Sequence, residues 1–369
     1  MYQKYFKKKI KSEVMERQQG RIRIKDIARQ AGVSVGTVDR VLHSRSGVSE
    51  SSRLRVEKVL EQLNYQPNMY ASALASNKKY RFACLLPLHT AGEYWESVEE
   101  GMGQAVGVYS DFNISLETFY YDQYVSGAFL AAAKLLMELS PDAVILSPTV
   151  EQETSVFVVQ LQECGIPYVF IDSNIPNLNP LAFYGQHAGR SGYFAARILK
   201  LLAHDSKEIV VFRQINEGRL GSNQQLHREE GFYQYMKEHH ENLTVHELNL
   251  YAKQPDEDES LLDDFFARHP GINCGITFNS KVYIIGEYMR KNRREDFRLM
   301  GYDLLQRNVD CLKNGTVDFI IAQQPMLQGY NSIECLCNHL ILKKKIKQCN
   351  YMPIDLITVD NLDFYFDAQ

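Results

Sequence analysis

The chain has 369 residues, of which 45% are hydrophobic and 23% charged, and its formal net charge is −4 at pH 7. This length allows two or three domains with proper cores, and the composition is typical of an ordinary soluble protein. The chain has no run of about 18 apolar residues, which excludes an ordinary membrane-spanning helix, and its charged N-terminus lacks the apolar core of a signal peptide. We therefore expect a cytoplasmic protein.

Charge is distributed unevenly along the chain. Basic residues outnumber acidic ones by more than two to one in residues 1–81, and eight of the basic residues lie within residues 1–23. Because the whole chain is negative, the remainder must be acidic. A basic N-terminal segment on an acidic body indicates a polyanionic partner such as nucleic acid, and a solvated basic surface is the alternative.

The seven cysteines predict neither a disulfide framework nor a metal site. They are odd in number and lie mostly in apolar segments, without a C-x-x-C pair or a histidine-rich spacing. We expect reduced, buried thiols, no bound metal and, in the absence of a phosphate-binding loop, no cofactor.

The first predicted helices lie within IKDIARQAGVSVGTVDRVL, residues 24–42. Apolar residues recur at i, i+3, i+4 and i+7 in IKDIARQA, which predicts an amphipathic helix that Gly32 ends in a left-handed conformation. Ser34 then caps a second helix, VGTVDRVL. The same stretch contains GVSVG, the G-x-S-x-G motif of serine hydrolases, but that motif requires a strand before its serine. We therefore predict that Ser34 is a helix cap and not a nucleophile.

A third helix is predicted over VSESSRLRVEKVLEQLN, with Ser49 as its cap. Three short helices within about 45 residues, the first two joined by a tight turn, are typical of a helix-turn-helix module. Such a module commonly places its second helix in the major groove of DNA.

Short motifs follow one another in a fixed order across residues 24–68: IKDIA, AGVS, TV, RVL, VS and LNYxPN. In this order they resemble the N-terminal head of the lactose-repressor (LacI) family of bacterial transcription regulators. The resemblance implies a helix-turn-helix domain over residues 22–67 and a hinge helix and linker over residues 68–79. We expect residues 1–21 to be a disordered basic extension.

The resemblance also implies roles on DNA, some of which have a physical basis. Val35, Gly36 and Arg40 would reach base edges, and the Arg40 guanidinium suits the O6 and N7 atoms of guanine; an exposed arginine without this role is the alternative. Thr37, Ser49 and Ser52 would contact phosphates. Asp39 departs from the family pattern, which usually has serine there, so it would have to accept a hydrogen bond from a cytosine or position Arg40.

The stretch NMYASALAS, residues 68–76, corresponds to the hinge helix of the family. At about nine residues it is too short to be stable alone, and it resembles segments that fold when two copies meet on DNA. Asn68, Ala71 and Leu74 would contact DNA, with Leu74 wedged into the minor groove. A plain linker helix is the alternative.

From Arg81 onward, predicted strands and helices alternate. The predicted strands are, in order, RFACLLPL, ISLETFYY, DAVILSP, PYVFID, EIVVFRQI, TVHELNL, CGITFNS, FRLMGYD and DFIIAQQ. This alternation predicts parallel sheets with helices on both faces, in two doubly wound halves with a cleft at the carboxyl ends of their strands. The predicted fold is therefore a small all-α head followed by an α/β domain of two doubly wound parallel-sheet subdomains.

Motifs in this second part, YW at 94–95, REEGF at 228–232, FN at 278–279, GYD at 301–303 and AQQP at 322–325, resemble the type I periplasmic sugar-binding fold. This fold is the effector and dimerisation domain of the same family, here over residues 80–369. The resemblance implies an N-subdomain over about 80–185 plus about 325–342, and a C-subdomain over about 186–322 plus the C-terminus.

A sugar presents apolar C–H faces and a belt of hydroxyl groups, so aromatic and fixed polar side chains suit it. Six residues at strand ends or helix starts are candidates for such a site: Tyr94, Trp95, Arg228, Asn279, Asp303 and Gln323. Trp95 and Tyr94 could stack on a ring, and the other four offer donors and acceptors. A core tryptophan, a surface ion pair of Arg228, a turn cap at Asp303 and loop hydrogen bonds of Asn279 and Gln323 are the alternatives.

Two departures concern the ligand. Ser280 and Val150 stand where sugar binders of this family often have aspartate, so a less hydroxylated, larger or anionic ligand would be favoured.

We predict a non-enzymatic, ligand-responsive repressor that binds a pseudo-palindromic DNA operator as a homodimer or larger oligomer. A solute-binding protein without a DNA role and, less favoured, a serine hydrolase are the alternatives.

Overall fold

The computed structural model describes residues 24–42, 45–63, 78–203, 206–216, 219–239, 243–251 and 255–368. The chain divides into two compact units, Met1–Ser76 and Asn77–Gln369. The predicted basic extension and the predicted hinge contacts Asn68, Ala71 and Leu74 lie outside the described residues. No helix of the described ranges combines the length and the apolar character that crossing a membrane requires.

The described part of the first unit contains three helices: α1 (Ile24–Ala31), α2 (Val35–Leu42) and α3 (Glu50–Gln62). Gly32 ends α1 with a φ of +64°, a left-handed conformation that glycine adopts without strain. The Ser34 Oγ accepts a hydrogen bond from the backbone N–H of Thr37 at 3.1 Å, which satisfies a free donor at the start of α2. Apolar residues from all three helices, among them Ile27, Val38 and Val56, form the small core.

The second unit consists of two lobes. The first lobe, the N-lobe, has an all-parallel sheet in the order β12-β5-β4-β3-β1-β2. Its strands are β1 (Tyr80–Pro87), β2 (Ile114–Tyr121), β3 (Ala143–Leu146), β4 (Tyr168–Ile171), β5 (Ala182–Gly185) and β12 (Cys349–Tyr351). Its helices are α4 (Tyr94–Val108), α5 (Ala128–Glu138), α6 (Glu151–Glu163) and, later in the chain, α12 (Pro325–Leu336). The buried strands read as continuous apolar runs because helices cover both faces.

The second lobe, the C-lobe, has a seven-stranded sheet in the order β13-β11-β10-β9-β6, with β7 and β8 both paired to β6. The strands are β6 (Glu208–Asn216), β7 (Arg219–Leu220), β8 (Thr244–Tyr251), β9 (Cys274–Thr277), β10 (Arg298–Tyr302), β11 (Phe319–Ala322) and β13 (Asp355–Ile357). The helices are α7 (Ala188–Ala203), α8 (Asn223–His239), α9 (Pro255–Arg268), α10 (Tyr283–Lys291), α11 (Gln306–Lys313) and α13 (Leu362–Ala368). Among the strands in the described part of this lobe, β7 and β13 are the two that run antiparallel to their neighbours. The fold class is therefore the one predicted from the sequence.

The chain passes between the lobes three times, after β5, after β11 and after β12. The side-chain amide of Gln186, on the first crossing, donates to the carbonyl oxygens of Ala322 at 2.8 Å and Pro353 at 2.6 Å, which lie at the other two crossings.

The N-lobe continues further along the chain than predicted. Its return segment was expected to end near residue 342, but Cys349–Tyr351 pairs with β5 before the chain enters the C-lobe.

Helices α7 and α8 of the C-lobe pack against each other at glycines. A Cβ on Gly192 would lie 1.8 Å from the carbonyl oxygen of Arg228, and one on Gly231 would lie 1.9 Å from that of Gly189. Because no side chain fits in either place, the two backbones are in direct contact. This contact fixes the backbone of α8 at the position that carries the Arg228 side chain.

Candidate functional site

Two buried aspartates lie at the carboxyl ends of strands in the two lobes. Asp172 directly follows β4 of the N-lobe, and Asp303 directly follows β10 of the C-lobe. Their side chains are 6% and 4% exposed, and both have left-handed backbones, with φ of 64° and 69°. Aspartate tolerates this conformation better than most residues, and such strained positions are typical of functional sites.

A chain of hydrogen bonds joins the two aspartates across the lobes. The Ser173 hydroxyl lies 3.2 Å from Asp172 Oδ2 and 3.3 Å from Gln224 Oε1. The amide of Gln224 donates to Gln323 Oε1, and the Gln323 amide donates in turn to Asp303 Oδ1 at 2.7 Å. Because Ser173 belongs to the N-lobe and Gln224 to the C-lobe, the network crosses the cleft between them.

Tyr94 and Gln328 form the N-lobe side of this network. The Gln328 amide donates to the Tyr94 hydroxyl at 3.1 Å and to the carbonyl oxygen of Gln323 at 2.9 Å, while its oxygen accepts from the backbone N–H of Asp172 at 3.0 Å. Burial, and then the nearby charges of Asp172 and Asp303, raise the pKa of the Tyr94 hydroxyl well above its usual value. Tyr94 therefore remains a neutral donor and acceptor.

Arg228, on α8, is the buried cation of the cleft. Its Nη1 donates to the carbonyl oxygen of Phe278 at 2.8 Å, and its guanidinium carbon lies 3.9 Å from the centre of the Tyr302 ring. Its Nε and Nη2 atoms are buried without a hydrogen-bond partner. A buried donor without a partner costs about 1–3 kcal/mol, so these two atoms point to an absent acceptor.

Among the other buried side-chain atoms without a partner are Ser147 Oγ, after β3, and Asn174 Oδ1, after β4. Both residues follow N-lobe strands whose carboxyl ends border the cleft. The cleft therefore offers unused donors on both lobes and an unused acceptor on the N-lobe.

Burial also changes the ionisation of the two aspartates. It raises the pKa of Asp172 to about 6, although Arg228 and the hydrogen bonds of Asp172 oppose the increase. It raises the pKa of Asp303 to about 7, again opposed by Arg228, with a smaller contribution from the negative charge of Asp172. Near neutral pH each carboxyl group is thus partly protonated and can both donate and accept hydrogen bonds.

Of the six residues predicted for the ligand site, the structure brings four into this network or beside it: Tyr94, Arg228, Asp303 and Gln323. The other two have different surroundings. Trp95 is half-buried and packs edge-to-face against the Tyr94 ring, with a centroid distance of 5.0 Å. The Asn279 side chain accepts from the backbone N–H of Lys281 at 2.8 Å and so stabilises its own turn.

Sequence reasoning missed Asp172, Gln224 and Gln328. Asp172 had an available signal, because it directly follows a buried apolar strand in the same way as Asp303. The two glutamines had none, since they lie within helices α8 and α12 and glutamine is common on helix surfaces.

Direct contacts hold the two lobes together at the rim of the cleft. Lys281 Nζ lies 3.2 Å from Glu93 Oε1, across the cleft. Asn223 bonds to the carbonyl oxygens of Pro148 and Thr149, both at 3.2 Å. The second unit is therefore in a closed conformation, and a ligand could enter only after the lobes separate.

In the first unit, α2 presents the side chains predicted to contact DNA. Val35 is 51% exposed, and Gly36 and Arg40 are also exposed, whereas Thr37 is half-buried against Ser34. Asp39 pairs with Arg45 at 3.3 Å, a partner that was not predicted.

Ser49 and Ser52 lie at the start of α3. The backbone N–H of Ser52 donates to Ser49 Oγ at 3.3 Å, and the two hydroxyls are 2.9 Å apart. Ser49 thus acts as the helix cap that the sequence predicted, and the exposed start of α3 can meet phosphate through its backbone N–H groups.

Ser34 has the surroundings of a helix cap and not of a nucleophile. Helix α1 precedes it, and its hydroxyl lies 2.9 Å from that of Thr37. The strand that a nucleophile elbow requires is therefore replaced by a helix.

One group in the described ranges has a composition suited to a metal ion: Glu208, His246 and His269, whose ligand atoms lie within 4.8 Å of one another. It lies in the C-lobe, away from the cleft.

Comparison with known proteins covers both units. The family model of the periplasmic binding protein domain matches residues 82–345, and that of bacterial regulatory proteins of the lacI family matches residues 23–68. A solved structure from Bacteroides fragilis, described as a candidate LacI transcriptional regulator, is 57% identical, with a TM-score of 0.76, over 78% of this chain and 100% of that chain.

Two curated relatives match smaller parts. The HTH-type transcriptional regulator DegA of Bacillus subtilis is 26% identical over 223 residues, which are 58% of this chain and 60% of DegA. The HTH-type transcriptional regulator GalR of Escherichia coli is 56% identical over 52 residues, 14% of this chain and 15% of GalR. The chain thus spans less than two thirds of the length of these relatives. With a helix-turn-helix head and a two-lobed periplasmic-binding-protein domain that both match, the chain belongs to the LacI family of bacterial regulatory proteins.

Proposed function

We propose that this protein is a cytoplasmic transcription repressor that binds a DNA operator and whose operator affinity is controlled by a small ligand in the cleft of its second unit. The observation that carries the ligand part is the pair of buried, unpartnered nitrogens of Arg228 between the two lobes. A ligand oxygen at this position would satisfy both nitrogens and offset their desolvation.

The chemistry of the cleft favours a neutral sugar or polyol over an anion. Arg228 supplies one positive charge. Asp172 and Asp303 both lie close enough to Arg228 that its charge lowers their pKa values. An anionic ligand would meet these carboxyl groups as well as the arginine. Hydroxyl groups, which donate and accept, match carboxyl, amide and guanidinium groups equally well. Asp172 and Asp303 also supply the carboxyl groups that Val150 and Ser280 lack.

The DNA part rests on the exposed face of α2. Arg40 would contact the edge of a guanine, Val35 and Gly36 would lie against neighbouring bases, and Thr37, Ser49 and Ser52 would meet phosphates. Asp39 would position Arg45, its observed partner, beside the DNA. We further propose that residues 22–67 form the DNA-binding domain, that residues 68–79 form the hinge with Asn68, Ala71 and Leu74 on DNA, and that residues 80–369 bind the ligand.

A single three-helix head presents only one recognition helix. Two copies on a two-fold symmetric operator would double the contacts, so we propose a homodimer as the DNA-binding form. The ligand regulates only if it binds the DNA-competent and DNA-incompetent states with different affinity.

The test has two stages that use the full chain. A thermal-shift screen against neutral sugars, polyols, sugar acids and sugar phosphates should give a higher melting temperature with a neutral compound; at about 100 times Kd the stabilisation is about 2.7 kcal/mol. DNA selected from a random pool should then bind with an affinity that falls steeply with salt and that changes when the identified ligand is added. A ligand without selective DNA binding would indicate a solute-binding protein, and selective DNA binding that no compound changes would refute control by a ligand.

A further inference from the structure

Three side chains that are far apart in the sequence meet at the amino end of the C-lobe sheet. Glu208 is the first residue of β6, His246 is the third residue of β8, and His269 directly follows α9. Glu208 pairs in register with Thr244, two residues before His246, so Glu208 and His246 share one face of the sheet. This is the face that α9 covers, since Val210 and Phe265 belong to the same buried cluster.

The distances among the three groups suit a common ion. His246 Nε2 lies 3.1 Å from Glu208 Oε1, the His246 and His269 rings are 4.4 Å apart between centroids, and the three ligand atoms lie within 4.8 Å of one another. In a tetrahedral Zn²⁺ site with ligand bonds of about 2.0–2.2 Å, neighbouring ligand atoms are about 3.3–3.6 Å apart. The Glu208–His246 pair already has nearly this separation, and a small rotation of the His269 ring would complete the set.

The surroundings hold the rings in place and leave the ligand atoms accessible. The His269 ring lies 4.8 Å from the ring of Phe265, which also contacts His246 at 6.2 Å. All three ligand residues are half-buried, so an ion can enter without unfolding. His269 continues the hydrogen bonding of α9, because its backbone N–H donates to the carbonyl oxygen of Phe265. The negative end of this helix dipole therefore lies beside the group and favours a cation.

A hydrogen-bonded histidine–glutamate pair explains only part of this arrangement. It does not involve the second imidazole, whose ring centre lies 4.4 Å from that of His246. A metal ion would use both neutral imidazoles and the carboxylate at once. Two imidazoles and one carboxylate are a donor set that Zn²⁺ binds readily, with water in the fourth position.

We propose that Glu208, His246 and His269 form a Zn²⁺ site that links β6, β8 and the end of α9. The site lies at the end of β6 opposite the ligand cleft, roughly 25–30 Å away along this nine-residue strand. It is therefore separate from the ligand cleft, and the ion would join the end of α9 to two strands that are already hydrogen-bonded to each other.

The experiment titrates ZnCl₂ into full-length protein that has been stripped of metal with a chelator, by calorimetry and by competition with a chromogenic chelator. We expect the protein to compete with the chelator and to bind one Zn²⁺ per chain. Glu208→Gln, His246→Gln and His269→Gln should each raise Kd at least about tenfold, because even loss of an outer-shell partner costs 10–100-fold. The melting temperature without Zn²⁺ shows whether each variant is folded, and Glu208→Gln, at the half-buried first residue of β6, is the mildest of the three.

His239→Gln is the matched control. His239 lies on the same lobe with Nε2 3.9 Å from Glu238, but the described ranges place no second histidine in a metal-suited group with it. This variant should bind Zn²⁺ as the natural sequence does, and all seven cysteines stay in place throughout. Failure of the natural sequence to bind one Zn²⁺, or binding that all three ligand variants retain, would overturn the proposal.

Discussion

Asp172 and Asp303 occupy equivalent positions in the two lobes, and the pKa of each depends on the same arginine. Each directly follows a parallel strand, has a left-handed backbone and is buried, and the charge of Arg228 lowers both pKa values against the effect of burial. The cleft thus brings two carboxyl groups from the two lobes close to one cation. Their shared ionisation makes the ligand site sensitive to pH.

We expect the ionisation of the two buried aspartates to destabilise the second unit increasingly as pH rises from about 4 to about 7. The pKa of an aspartate in the unfolded chain is about 3.9, whereas burial raises the pKa of Asp172 to about 6 and of Asp303 to about 7. In this window the unfolded chain releases protons that the folded chain still holds, so ionisation favours unfolding. Asp303→Asn should remove the destabilisation that ionisation of Asp303 causes, on the order of 2–4 kcal/mol at pH 7. Asparagine can still accept the hydrogen bond from Gln323, so that contact is kept.

The measurement is urea unfolding of the natural sequence and of Asp303→Asn at pH 5 and pH 8. Comparing the two proteins at each pH cancels the contribution of the ionisable groups that they share. Asp303→Asn should gain more stability relative to the natural sequence at pH 8 than at pH 5, because most of the effect develops between these two values. An equal difference at both pH values would mean that the pKa of Asp303 is not raised.

Arg228→Met should abolish ligand binding while leaving the unit folded. Methionine fills the same space, and it removes two buried nitrogens that have no partner, which compensates for the lost bond to Phe278. The ligand-induced rise in melting temperature should therefore disappear. Arg197→Met, an exposed arginine over the rings of Tyr193 and Tyr235, removes the same charge from the same lobe and should leave ligand binding intact. A full ligand response in Arg228→Met would exclude the cleft as the binding site.

Arg40→Ala should reduce discrimination between operator and unrelated DNA by about 1–3 kcal/mol, the usual contribution of an arginine that contacts guanine with two hydrogen bonds. The ratio of the two affinities, measured by fluorescence anisotropy at fixed salt, is the relevant quantity. Arg29→Ala removes the same charge from α1, where Arg29 pairs with Asp26 at 3.3 Å, and should leave that ratio unchanged. If Arg40→Ala keeps the operator preference, α2 does not contact the bases through this residue.

Lys281→Met should favour the open form of the second unit. Lys281 and Glu93 are 3.2 Å apart across the cleft and partly exposed, so their pairing contributes about 0.5–1 kcal/mol to closure. Its loss should raise the ratio of open to closed molecules about two- to fivefold, visible in small-angle X-ray scattering as a larger radius of gyration. Lys291→Met breaks the pair with Glu259 inside the C-lobe and is the control. An unchanged radius in both variants would mean that this ion pair does not hold the lobes together.

The sequence was sufficient to predict the elements that have strong periodicity. Helices α1–α3, the cap at Ser34 and the apolar strands β1 and β6 follow directly from spacing and capping chemistry. The short strands β5, β12 and β13 were not predicted, because three or four residues are too few for a period and their pairing is decided by distant segments.

The ligand site was predicted only in part for a related reason. Asp303 and Arg228 lie in recognisable motifs, but Gln224 and Gln328 reach the network because they lie in the first turns of α8 and α12, where they bond to Gln323 and Tyr94 from distant segments. Asn279 shows the converse, since its amide oxygen satisfies a local N–H and is no longer available to a ligand. Local patterns identify which residue types surround a site, whereas the direction of each side chain depends on contacts between distant segments.

Gln186 connects the interlobe crossings to the proposed ligand site. Its amide joins all three interlobe crossings, and its oxygen accepts from Ser191, whose hydroxyl lies 3.1 Å from that of Tyr302, the ring beneath Arg228. Three crossings tied at one point mark the place about which the lobes would rotate when the cleft opens. Gln186 therefore connects this pivot, through Ser191 and Tyr302, to the arginine of the proposed ligand site.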